Sequence, residues 1–284
     1  VAEVSAAVTA AAAPIRRRRR DVVVVIALVV LAVIVIGSLF APWLAPHDPT
    51  QLSRDRFAGP SAGHLLGTDE LGRDLLSRIM YAGRITLSIA GGAALIAMIL
   101  GAVWGMAAAF ARGLVDEILM RLADTAMAVP QMLLALVFVA AFGSDPVRLA
   151  VIVGVLLTPV TARMVRSAVL TEKQADYYRA AIAYGASRPR LVLTEVLPNV
   201  WAPIGVQAAI NVANAIALEA GLSFIGLGIQ DPDISWGLLV KWGYEKISRS
   251  LGYVTFPALA ILITIWMLNL LADQLGRTDS GTQR

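Results

Sequence analysis

Long uninterrupted apolar stretches constrain this chain more than any other feature. Val22 to Phe40 contains no charged residue, and about 20 apolar residues suffice for a helix to cross a bilayer. Comparable stretches recur at about Ile85–Phe110, Ile118–Phe142, Arg148–Val165, Leu197–Gly228 and Tyr253–Leu271, separated by polar connections. In hydrocarbon the backbone must satisfy its own hydrogen bonds, so each stretch is expected to be helical. The fold class is therefore all-α, a polytopic membrane protein with six transmembrane helices. Composition agrees: 58% of residues are hydrophobic and 15% charged, too little charge to solvate a globular domain.

Orientation rests on the arginine run Arg16–Arg20, immediately before the first stretch. Basic residues flanking a span stay on the cytoplasmic side, so the N-terminus is expected to be cytoplasmic, and alternation places the C-terminus there too. The formal charge of +4 has its excess in this run, so the expected partner is membrane lipid and no nucleic acid. Val22–Phe40 exceeds a signal-peptide core and lacks an A-x-A cleavage site, which makes it a retained anchor. The expected organisation is a disordered basic cytoplasmic segment 1–21, a first transmembrane helix 22–40, an external loop 41–84 and a five-helix core 85–273. Within the core lie a cytoplasmic loop 171–197 and an external loop 229–252; a cytoplasmic tail, 274–284, ends the chain. Pro130 interrupts the third span, where neighbouring helices can satisfy the freed carbonyl. Arg163 and Arg166 reach the inner boundary, where long basic side chains snorkel. Trp236 and Trp242 fit an interfacial aromatic belt.

Catalytic signatures are missing. The chain has no G-x-x-x-x-G-K-[ST] phosphate loop, no H-E-x-x-H and no G-x-S-x-G, so it cannot hydrolyse ATP by itself. Cysteine is absent, which removes disulfides, thiolate metal ligands and thiol nucleophiles. His47 and His64 are the two imidazoles; His64, with no second ligand at metal spacing, reads as a solvated loop residue. No catalytic residue, metal or cofactor is expected in this chain.

The polar segment Thr171–Glu195 is too long for a hairpin turn. Within it, Tyr177 to Ala186 reads as a short helix closed near Gly185, with Pro189 stopping further propagation. Ala181 and Gly185, at i and i+4, would present a small, smooth face where another backbone could approach; an ordinary surface helix would look similar. Ala180-Ala181, three residues, Gly185 and then Leu197-Pro198-Asn199 resemble the EAA loop of ABC importer permeases. The strings His64–Leu75 (HLLGTDELGRDL) and Ala217–Gly228 (ALEAGLSFIGLG), with the pair Trp236-Gly237, resemble the dipeptide/oligopeptide/nickel permease family in its DppC/OppC-like branch. The likeness runs from the first span to Asp273.

That resemblance implies a type I ABC importer permease fold and a role as the transmembrane permease subunit of an ATP-driven importer of di- or oligopeptides or similar small solutes. It implies coupling to ATPase subunits through Tyr178, Arg179, Ala180, Ala181, Tyr184, Gly185, Leu197, Pro198 and Asn199. The implied partners are a homologous DppB/OppB-like second permease, two ATPase subunits holding ATP and Mg, and an extracytoplasmic substrate-binding protein, all at a bacterial cell membrane. Docking of that protein is expected at Asp231, Asp233, Trp236 and Trp242. Two positions depart from the family pattern: Arg179 stands where a glutamate is usual, and Glu195 where a histidine is common.

Polar residues in spans usually face a bundle interior or a water-filled path. Gln207, Asn211 and Asn214, on one helical face, with Glu219, Asp124 and Gln131, are therefore candidates for lining the pathway, although amides also serve as interhelical glue. Gly101 and Gly105 form a G-x-x-x-G of the kind that marks close packing. An ion-gradient-driven secondary transporter would be expected to pair intramembrane acids in broken, repeated helices; Asp124 and Glu219 are the residues that fit it.

Overall fold

The computed structural model describes residues 22–111 and 113–279; the expectations for the segment 1–21, with its Arg16–Arg20 run, and for residues 280–284 lie outside them. The first span is helix α1, Val22–Leu39, with a mean hydropathy of 3.4. Only 11% of this segment is buried, so almost its whole surface is left for lipid. The exceptions are Ala27, which is buried, and the C-terminal end, where Ser38 is buried as α1 meets the long third helix and Ile34 lies against Ala82, Trp236 and Leu239. A short helix α2, Ala41–Leu44, follows.

Helix α3 spans Leu75–Ala111, 37 residues, and so begins well before the expected Ile85. Its first turns carry Arg78 and Arg84, which read as loop, but the fold supplies them with structure. The Asp74 carboxylate accepts the Ser77 N–H at 2.8 Å and its hydroxyl at 2.7 Å, a side-chain cap that starts the helix. Asp69 then accepts from the Leu71 N–H at 2.8 Å, the Arg73 N–H at 2.9 Å and the Arg73 Nε at 2.6 Å. It also takes the buried Arg78 guanidinium, so the charges are matched where the helix begins.

The third span is two helices, α4 Leu114–Ala128 and α5 Gln131–Phe142, meeting at 86°. The interruption expected at Pro130 is a sharp break between two helices, not a kink in one continuous helix. Proline lacks an N–H and disfavours helical geometry in the residue before it; Val129 is extended, and Pro130 opens α5 as its N-cap. Helix α6 runs Pro146–Glu172, capped by Asp145, which accepts the N–H groups of Val147 and Arg148. Arg163 and Arg166 on α6 do not simply snorkel. They pair back to α4, Arg166 with Asp116 through two 2.6 Å contacts and Arg163 with Asp124.

After α6 come α7, Asp176–Ala183, a single turn α8, Arg188–Arg190, and a π-helical turn, Leu191–Val196. Pro189 therefore sits in the first turn of a new helical segment, where its missing N–H has no partner to lose, and does not stop helix formation. Helices α9, Trp201–Ile225, α10, Trp236–Glu245, and α11, Leu251–Asp279, complete the chain. The expected tail, 274–284, is thus helical as far as it is described.

Helices α3 and α6 form the centre, α9 packs on both, and α11 and α10 pack on α9. Small residues let the two central helices approach: Ala90, Ala93, Ala97, Gly101, Gly105 and Ala108 are buried along α3. A Cβ added at Gly105 would lie 2.4 Å from the Ala162 carbonyl, and one at Gly101 2.6 Å from the Thr161 side chain. The G-x-x-x-G therefore marks a real backbone approach.

Candidate coupling and transport site

Helix α7 ends by a specific local device. The Gly185 N–H donates to the Ile182 carbonyl at 2.9 Å and the Ala186 N–H to the Ala181 carbonyl at 3.0 Å, the paired bonds of a Schellman cap. That cap needs a left-handed residue, and Gly185 has φ +79° with open space where a side chain would begin. Glycine is thus set by the turn and not by a neighbour's approach within the chain.

The inward face of α7 is apolar. Tyr178 is 6% exposed and joins Val169, Leu191, Val196 and Val200 in one buried cluster, with Ala181, Ala186 and Leu197 packed against it. Tyr178 and Ala181 therefore belong to the support and not to the presented surface, a correction to the smooth-face reading. The outward face carries Arg179, Ala180, Ile182, Ala183 and Tyr184, with Tyr184 93% exposed. Pro198 and Asn199 are exposed nearby, and the Asn199 amide donates to the Glu195 carbonyl at 2.6 Å. The segment is tethered to its neighbours. Lys173 donates to the Ala109 carbonyl at 2.7 Å and lies over the Phe110 ring. The Tyr177 hydroxyl bonds to Glu172, and burial with that carboxylate beside it pushes the phenol well above its ordinary pKa.

The intramembrane polar residues divide into groups with different roles. Gln207 donates to Asn211 at 2.9 Å, and Asn211 donates to the Thr161 hydroxyl at 2.9 Å. Both are buried, so they join α9 to α6 as glue and do not line an open path within this chain. Asn214, one turn on, is exposed. Glu219 is fully buried; it accepts from the Ser223 hydroxyl at 2.7 Å and the Thr86 hydroxyl at 3.4 Å. Thr86 in turn accepts the Trp236 N–H at 3.1 Å. Glu219 thus knits α9, α3 and the start of α10 together through hydroxyl groups. Asp124 is half-exposed in its ion pair with Arg163, and Gln131 reaches the Leu156 carbonyl at 3.4 Å.

The expected docking segment also splits. Asp231 and Asp233 are exposed, whereas Trp236 is 1% exposed with its indole N–H donating to the Ile79 carbonyl at 2.9 Å. It is a core residue and neither a belt nor a docking residue. Trp242 is half-buried under the Arg78 guanidinium, 5.0 Å from ring centroid to charge. A cleft of about 1020 Å³ opens between α1, the start of α3 and this segment, bordered by Arg73, Arg84, Asp231 and Asp233. Sequence reasoning missed the Asp69–Arg73–Arg78 network, although the string holding Asp69 and Arg73 stood out as a motif. It also missed that His47, His64 and Asp74 converge; His64 is not the isolated imidazole that spacing suggested.

A family model described as the binding-protein-dependent transport system inner membrane component matches residues 97–278. A second, the N-terminal TM domain of oligopeptide transport permease C, matches residues 14–60. The di/tripeptide transport system permease protein DppC of Pseudomonas aeruginosa is 38% identical over 250 residues, covering 86% of this chain and 82% of that protein. The dipeptide transport system permease protein DppC of Escherichia coli is also 38% identical, covering 86% and 83%. The probable D,D-dipeptide transport system permease protein DdpC of the same species is 34% identical, covering 85% and 81%. Among solved structures, an inward-facing MetNI methionine ABC transporter chain aligns with a TM-score of 0.58 at 17% identity, over 69% of this chain and 93% of that one, a likeness of fold.

Proposed function

The chain belongs to the family of binding-protein-dependent transport permeases, in its DppC/OppC-like branch, and from that premise we propose how its surfaces divide the work of import. It is a multi-pass inner-membrane permease subunit of an ABC importer with the type I permease fold. The cargo we assign is a di- or oligopeptide or a similar small solute, on the strength of relatives described as dipeptide and di/tripeptide permeases. The ion-gradient alternative has no support: Glu219 is a hydroxyl-bonded packing residue and Asp124 is ion-paired.

One observation carries the coupling role. Helix α7 presents Arg179, Ala180, Ile182, Ala183 and Tyr184 on one side, while Tyr178 and Ala181 on its other side join one apolar cluster with residues of α3, α6, α9 and the π turn. A push on the exposed face passes through this shared cluster and the π turn toward the central helices. In this reading α7 lies on the cytoplasmic side, with both chain termini, and docks on one of two ATPase subunits that hold ATP and Mg. A homologous DppB/OppB-like permease supplies the other half of the pathway. Nucleotide binds the closed ATPase pair better than the open one, and that difference drives rigid-body switching between inward- and outward-open states. An extracytoplasmic substrate-binding protein delivers cargo at the side bearing Asp231 and Asp233. Arg179 and Glu195 change the charge of the docking segment and select a partner ATPase with complementary charge.

The test is gentle purification of the tagged chain from its native membrane, followed by identification of bound subunits and assay of ATP hydrolysis. Recovery of a second permease and ATPase subunits, with hydrolysis raised by a peptide-loaded binding protein, is expected. A chain that purifies alone with uptake intact, surviving ATP depletion, would sink the reading.

A further inference from the structure

Three donors from one loop and the start of α3, His47, His64 and Asp74, meet in front of the α3 N-terminus. His64 Nδ1 is 3.0 Å from Asp74 Oδ1, and His47 Nδ1 is 3.8 Å from the same oxygen. All three ligand atoms fall within 4.8 Å of one another. Two donors on one tetrahedral zinc, each about 2.0–2.1 Å from the ion, stand about 3.3 Å apart. The observed separations bracket that value.

The surroundings hold these groups in place. Asp74 is 2% exposed, and Ser77 occupies its other oxygen through both N–H and hydroxyl; that leaves Oδ1 facing the imidazoles, as a second-shell partner does for a metal ligand. The Ser77 hydroxyl also accepts the His47 backbone N–H at 3.1 Å. His47 Nδ1 is buried with no hydrogen-bond partner, an unmet polar atom of a kind native structures seldom leave unexplained. Its ring is 36% exposed as a whole, which leaves a way in for an ion and for a fourth ligand from water.

We propose that His47, His64 and Asp74 form a three-ligand site for a divalent transition metal of the zinc class, fastening the exit of the first transmembrane helix to the start of α3. Two imidazoles and one carboxylate suit such an ion, and an open fourth position taken by water completes the tetrahedron. The site lies away from α7 and carries no step of transport. Its consequence is mechanical: α1 is mostly lipid-exposed, and the metal would bind the segment leaving it to the central bundle.

The experiment uses the untagged full chain in detergent or nanodiscs, titrated with Co(II) as the spectroscopic probe and then with Zn(II). The expected result is one equivalent of Co(II) with the intense visible bands of tetrahedral coordination, displaced by Zn(II). His47→Ala and His64→Ala should each weaken binding by at least about tenfold, the lower end of what even an outer-shell change costs. Zn(II) should raise the unfolding temperature of the unsubstituted chain and not of either variant. Both substitutions fall in loops, and monodisperse elution verifies that each variant is folded; Asp74 is left intact because it caps α3. Absence of the tetrahedral bands in the unsubstituted chain, or binding unchanged in both variants, would overturn the proposal.

Discussion

Gly185 and Tyr184 are neighbours with opposite sensitivities. At Gly185, φ is +79° and a side chain meets nothing within 4 Å, so backbone conformation alone opposes substitution. Gly185→Val should cost about 1–3 kcal/mol locally for forcing a β-branched residue into the left-handed region, loosening the α7 cap and lowering transport per ATP hydrolysed. Gly185→Asn tolerates that conformation and should retain most coupling; equal loss in both variants would instead indict contact with a partner. Tyr184, 93% exposed, bears no load inside the chain. Tyr184→Ala should leave thermal stability within about 0.5 kcal/mol of the parent while reducing substrate-stimulated hydrolysis in the assembled importer. Glu219 is the reverse case. Glu219→Gln keeps an acceptor for Ser223 and should be mild, whereas Glu219→Ala strands the Thr86 and Ser223 hydroxyls and should destabilise by about 2–5 kcal/mol. Thermal unfolding of the purified chain distinguishes them.

Among the helices, the approach of α3 to α6 is the contact most dependent on residue size. Gly91 faces open space and Gly105 faces the Ala162 carbonyl, although both are helical glycines on α3. Gly91→Ala should be neutral or stabilising by up to about 1 kcal/mol, since alanine loses less entropy in a helix. Gly105→Ala should destabilise by about 1–3 kcal/mol because the central pair must part. Unfolding midpoints of the two variants in the same detergent check the contrast, and equal behaviour would contradict the packing. The α4–α5 break shows a different dependence. A proline in a span is legible, but whether the helix merely kinks or turns by 86° rests on what surrounds it. Arg163 and Arg166 of α6, paired to Asp124 and Asp116, hold α4 against α6.

For the assembled importer, Asn214 is the informative polar residue of α9. Gln207, Asn211 and Glu219 are consumed by contacts within the chain, while Asn214 lies exposed. Because the chain has no cysteine, Asn214→Cys is a clean probe. It should crosslink to the second permease, or react with a thiol reagent from the pathway, in a nucleotide-dependent manner. Labelling indifferent to nucleotide would remove α9 from the moving interface. In the proposed arrangement Asp233→Cys should crosslink to the binding protein, whereas a cysteine replacing the buried Trp236 should disturb the fold first.

The long apolar runs made helices in lipid obligatory, and the charge-poor composition excluded a soluble domain, because both follow from local physics that needs no neighbours. The short helix ending at Gly185 was equally readable, since a Schellman cap is built from adjacent residues. Partnership between distant residues was not readable. Asp74 caps α3, Asp69 takes in Arg78, Gln207 and Asn211 pack instead of lining a path, and Trp236 is buried; each outcome depends on which element arrives from elsewhere in the chain. His47 and His64 illustrate the limit: their spacing in sequence carries no ligand pattern, and only folding of the segment between α2 and α3 brings both imidazoles to one carboxylate.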